Sequence, residues 1–101
     1  MDLTPREIEK FYVYQVAEIA RRRRDRGTKL NLSEAQALVT EAILEGARDG
    51  KSVAECMEIG KQVVAQTDCM DGVRERLSLL QVEATFPDGS KLVSCHDPIS
   101  A

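Results

Sequence analysis

Gln81-Val82-Glu83-Ala84-Thr85-Phe86-Pro87-Asp88-Gly89-Ser90-Lys91-Leu92-Val93-Ser94-Cys95-His96 reads as one β-hairpin in a chain whose remaining pattern is helical. Asp88-Gly89 is the pair that suits a primed two-residue turn, and Pro87 stiffens the approach. Centred there, the turn sets Phe86 opposite Lys91, Ala84 opposite Val93 and Val82 opposite Cys95. Opposed residues share a face, so Val82, Ala84, Phe86, Val93 and Cys95 make one apolar side. Gln81, Glu83, Thr85, Ser94 and His96 make the other, with Leu92 the apolar exception. An isolated hairpin is marginal in water, so this one must lie on helices or on another protein.

Outward from the hairpin, the 101 residues suffice for one core, and residues 1–101 are read as one domain. The chain is 43% hydrophobic and 31% charged with a net charge of −3. That acidic balance speaks against a nucleic-acid or membrane-surface partner, which needs a basic footprint. No apolar run approaches a membrane span, and Met1-Asp2-Leu3-Thr4-Pro5 has no basic start or apolar core of a secretory signal. Cys56, Cys69 and Cys95 are an odd count without paired spacing, as expected of free, buried thiols in a reducing cytoplasm.

The first helix opens with the capping box Thr4-Pro5-Arg6-Glu7. Ile8, Phe11, Tyr12, Val13, Tyr14, Val16, Ala17, Ile19 and Ala20 follow. At about 100° per residue they cover more than half the circumference, wider than a helix packed on one side needs, so this helix is either central in its own domain or partly covered by another chain, and the aromatic residues on it favour contact with a partner. Arg21-Arg22-Arg23-Arg24-Asp25-Arg26-Gly27 closes it. Four successive arginines cannot share one helical face. They are read as a solvated last turn that complements the helix dipole, with Gly27 beyond the cap and some arginines available to acids on a partner. The alternative is a nucleic-acid patch at Arg21–Arg24.

The second helix is capped either by Asn31 with Glu34 or by Ser33 with Gln36, and carries the stripe Ala35, Leu38, Val39, Ala42, Ile43 and Gly46 up to Gly50. The third opens at once with Ser52-Val53-Ala54-Glu55 and runs its stripe through Cys56, Met57, Gly60, Val63 and Val64 to fade near Gln66. So short a join makes the two antiparallel neighbours. Thr67 to Gly72 is read as a capped turn closed by Gly72, and Asp97 to Ala101 as a tail with only Ile99 to pack. The fold class is therefore α+β: three main helices, a short helical turn and one C-terminal antiparallel hairpin.

Two motifs suggest chemistry. Gly46-Ala47-Arg48-Asp49-Gly50-Lys51-Ser52 resembles a phosphate loop but has three residues between its glycines instead of four, follows a helix, and carries Asp49. It reads as a helix–helix turn. Cys95-His96-Asp97 could supply a nucleophile and base, but strand neighbours point to opposite faces, and His96 is the only histidine. No pair of acids and bases is obviously placed in an apolar pocket, and no active site is expected here.

Four segments resemble the γ subunit of bacterial urease, and the resemblance spans essentially the whole chain. They are Leu3-Thr4-Pro5-Arg6-Glu7, Lys29-Leu30-Asn31, Glu45 to Val53, and Val82 to Val93, with His96-Asp97-Pro98-Ile99 as a similar ending. The resemblance implies a non-catalytic structural subunit of a nickel-dependent hydrolase that converts urea to ammonia and carbamate. It implies α and β partner chains in a heterotrimer, further trimerised, with two nickel ions and the catalytic residues on the α chain. No catalytic, cofactor-binding or metal-binding residue carries over to this sequence, and neither nucleic acid nor membrane is an expected partner. Cys56, Cys69, Cys95 and the charged Val73-Arg74-Glu75-Arg76-Leu77 depart from the family pattern, which leaves open a strain-specific partner surface or redox sensitivity.

Overall fold

Three capping boxes open the three long helices of the computed structural model, which describes residues 2–101. Helix α1, Pro5–Asp25, is capped by Thr4 with Glu7. Helix α2, Leu32–Arg48, takes Asn31 with Glu34 of the two possible boxes. Helix α3, Val53–Gly60, takes Ser52 with Glu55. In each, the cap side chain accepts the third backbone N–H and the glutamate reaches back to the cap N–H, so orphan donors are satisfied locally. At the other end of α1 the N–H groups of Gly27 and Thr28 donate to the carbonyls of Arg24 and Arg23, and those of Gly50 and Lys51 close α2 on Ala47 and Gly46 in the same way.

Helix α2 is the centre. Ala35, Leu38, Val39, Ile43 and Ala47 on it are buried, and it packs against α1, α3 and the first hairpin strand. A Cβ at Gly46 would lie 3.1 Å from Cys56 Sγ, and one at Gly60 would lie 3.0 Å from Cys95 Sγ, so both glycines let α3 settle close.

Past α3 the chain departs from the helical expectation. Val64–Ala65 is a short strand, β1, and Gln66–Asp68 is a single 3₁₀ turn. Helix α4, Val73–Arg76, follows, with Gly72 opening it as its N-cap and not closing the preceding turn. Strands β2, Leu79–Phe86, and β3, Gly89–His96, form the antiparallel hairpin. The expected tail is a strand, β4, Ile99–Ser100, paired parallel to β1. Val64 and Ala65 therefore leave the helix and take a backbone partner at the far end of the chain, a contact no local pattern encodes. Pro98 and Ile99 are buried, and Arg74 Nε donates to the Ile99 carbonyl at 3.2 Å.

The hairpin register differs by two residues from the expected one. Phe86 opposes Gly89, Ala84 opposes Lys91 and Val82 opposes Val93. Pro87 and Asp88 are the corner residues, and the positive φ falls on Gly89 (φ +128°) while Asp88 has none. Pro suits the first corner because its ring fixes φ, and Gly suits the position after the corner. A shift of two keeps every side chain on its face. Val82, Ala84, Phe86, Val93 and Cys95 are buried, with β2 on α2 and β3 on α3.

Because Ile99 is 1% exposed, Ile99→Ala is expected to cost about 2–5 kcal/mol, read as a fall in the guanidinium midpoint at unchanged slope. A frayed tail would give no more than about 0.5 kcal/mol.

Candidate functional site

Helix α1 has two faces. Ala17 and Ala20 are buried, and Val13, Tyr14 and Val16 pack partly against the core. On the opposite side Ile8, Phe11, Tyr12 and Ile19 are exposed, Phe11 by 53% and Tyr12 by 64%. Their spacing of three, four, seven and eleven residues makes a second apolar stripe, the pattern of a helix that is packed on both sides. Single exposed apolar residues are ordinary; an aligned set of four makes one apolar patch. Leu92, on the outer face of the hairpin, is exposed as well.

Tyr14 is the member of the apolar set that is not free. Its hydroxyl donates to Glu45 Oε2 at 2.8 Å. Burial first, then that bond and the charges of Glu45 and Glu41, push its phenol well above the ordinary tyrosine range.

The arginine run is committed within the chain. Arg21 pairs with Glu18 at 2.7 Å and with Glu41 on α2. Arg22 pairs with Glu18. Arg23 reaches Glu34 at 2.5 Å, and Arg24 donates to the Val63 carbonyl at 2.8 Å beside Asp68. The four guanidiniums diverge around the end of α1 and find acceptors within the chain, Arg21 and Arg22 sharing Glu18. Glu34 is the buried end of this set, 4% exposed. One of its oxygens closes the cap of α2 on the Asn31 N–H, and the other takes Arg23. A glutamate that serves as cap and ion-pair partner together reads in sequence as a cap alone.

The two tempting motifs come apart in space. Cys95 is buried, its Sγ donating to the Met57 carbonyl at 3.5 Å, while His96 beside it is exposed. Gly46 and Ala47 lie in the last turns of α2, and Lys51 and Ser52 lead directly into α3. Among the described residues, no three of His, Cys, Asp and Glu are grouped to hold a metal ion, and no helix is long and apolar enough to cross a membrane. Burial pushes all three thiols up from the ordinary cysteine value, away from the thiolate a nucleophile needs.

Two outcomes follow for the Arg23–Glu34 contact. Arg23→Ala strands a buried carboxylate and is expected to cost about 1–3 kcal/mol, whereas Arg22→Ala, on an exposed pair, stays within about 0.5 kcal/mol. Burial pushes the Glu34 carboxyl up, but the Asn31 N–H and the Arg23 guanidinium outweigh it and leave it below its ordinary 4.5. A depressed folded-state value means the contribution is complete above about pH 4.5 and is lost as pH falls through the folded value. Acid unfolding monitored by circular dichroism should be shallower in Glu34→Gln.

Comparisons with known proteins assign the chain to a family. The family described as "Urease, gamma subunit" matches residues 1–99. The urease subunit gamma of Corynebacterium kroppenstedtii is 58% identical over 99 residues, covering 98% of each chain. That of Ruegeria sp. (strain TM1040) is 58% identical over 99 residues, covering 98% of this chain and 99% of its own. A match that runs from the first cap through the hairpin and into β4 leaves no part of the architecture outside it, and the chain belongs to the urease γ subunit family.

Proposed function

We propose that this chain is a non-catalytic structural subunit of urease, which hydrolyses urea to ammonia and carbamate, and that it packs against α and β partner chains in the cytoplasm. The observation that carries this is the second apolar stripe of α1: Ile8, Phe11, Tyr12 and Ile19 stand in water although the core is already closed behind them. Burying such a stripe stabilises an assembly by roughly 25 cal/mol per Å² of apolar surface, less the cost of association. The Cα radius of gyration of 13.3 Å is that of a lone domain of about 100 residues, which supports reading 1–101 as one unit added to larger chains.

The nickel that urease requires does not fit this chain's donors. The single imidazole, His96, stands at a strand end; the thiols are buried, two of them on backbone carbonyls; Glu7, Glu34 and Glu55 are used by caps. We therefore place the metal and the catalytic groups on the α chain, and assign no catalytic, cofactor or metal role to residues here. What this chain supplies is surface that holds neighbouring chains in register.

Omitting the chain from a co-expressed urease is expected to lower the native mass by more than this subunit and to depress urea turnover. Unchanged assembly and rate of the remainder would refute the role. Phe11→Asp and Tyr12→Asp, at exposed positions, should leave the chain folded by circular dichroism and abolish its co-purification with the partner chains.

A further inference from the structure

A groove runs along the outer edge of β2. Its wider part, about 450 Å³, lies between Lys10 and Val13 of α1, Thr40 and Leu44 of α2, and Glu83 and Thr85 of β2. Val13 and Thr40 also line a second hollow of about 330 Å³, which continues past Val16 and Ala37 to Leu80. One wall of this groove is formed by β2. The Asp97 N–H donates to the Ser78 carbonyl at 2.7 Å, and these residues continue the register in which Leu79 opposes His96. Even-numbered positions of β2 are therefore the ones that exchange hydrogen bonds with β3, and odd-numbered ones turn their N–H and C=O groups away from it. Gln81, Glu83 and Thr85 thus present alternating donors and acceptors along the groove wall. Among the described residues, none of the three makes a backbone hydrogen bond outside the hairpin.

Only another extended backbone repeats donors and acceptors at that two-residue spacing, about 6.8 Å, in line with a strand edge. The geometry points to an extended segment of a partner chain laid along β2 as a third strand, with every second side chain resting on Val13, Thr40 and Leu44. This rests on the reading of the chain as an assembly subunit, which supplies the source of the segment. Among the described residues, Arg6 to Glu83 at 3.1 Å and Lys10 to Thr85 at 3.5 Å bridge the groove. Both members of the first pair are mostly exposed, so these bridges give way at little cost. Open edges are sites that soluble chains shield, and here the shield is a strand from outside.

The test uses the co-expressed complex. In the wild-type complex the amides of Gln81, Glu83 and Thr85 are expected to exchange at least about a hundredfold slower than unprotected amides. Glu83→Pro removes one outward N–H and leaves the ladder to β3 intact, and it is expected to cut the yield of complex by about tenfold or more. Fast exchange at the three amides overturns the inference even if Glu83→Pro fails to fold. Slow exchange with Glu83→Pro assembling at wild-type yield also overturns it, since the edge is then covered but not paired. A homodimer of this chain joined through β2 overturns it as well. If the wild-type chain joins no complex at all, the assembly reading fails together with it; if the complex forms and only the proline or exchange result goes the other way, the strand alone fails.

Discussion

A two-stranded ribbon cannot hold itself together in water, and the need to give it a floor governs the rest of the molecule. Val82, Ala84 and Phe86 from one strand and Val93 and Cys95 from the other present a single apolar sheet of side chains. Helix α2 receives β2 and α3 receives β3. For α3 to serve, it must come close, and glycine at 46 and 60 leaves the room that Cys56 and Cys95 fill. The helices are thus arranged by what the ribbon lacks, and α1 closes the far side of α2. That leaves α1 as the element with a face to spare.

Polar groups tie the layers together where the apolar core thins. The last turn of α1 is fastened to the first turns of α2 through Arg23 and Glu34, to its middle through Arg21 and Glu41, and to the start of β1 through Arg24 and the Val63 carbonyl. Tyr14 and Glu45 add a rung nearer the other end of α1. With so many guanidiniums held by the chain itself, the run offers little free positive charge to a phosphate backbone, whose attraction depends on uncompensated lysine and arginine.

The sequence made legible what depends on neighbours along the chain. Caps at Thr4, Asn31 and Ser52, the stripe of α2 apart from the half-buried Ala42, and the two faces of the ribbon are all set within a few residues, and are where the pattern puts them. What escaped is long-range. Val64 is apolar at a helical interval from Gly60, and nothing nearby says that Ile99 will pair with it as a strand. The turn slipped because Asp88-Gly89 and Pro87-Asp88 are both competent corners, and a displacement of two residues leaves the burial pattern unchanged. The second apolar stripe of α1 was legible as excess apolar girth; the open edge of β2 was not localised, because backbone groups carry no letter.

The three thiols sit at three places in the fold: Cys56 under α2, Cys69 just after the 3₁₀ turn, where it bridges in parallel to Leu30, and Cys95 on the inner face of β3. Burial disfavours the thiolate at each while its surroundings stay closed. Alkylation of Cys69 thus clocks the connecting turn, whereas that of Cys56 and of Cys95 clocks the seams that α3 makes with α2 and with β3. The molecule carries its own reporters for whether the helical layer, the connecting turn and the ribbon loosen together or one at a time.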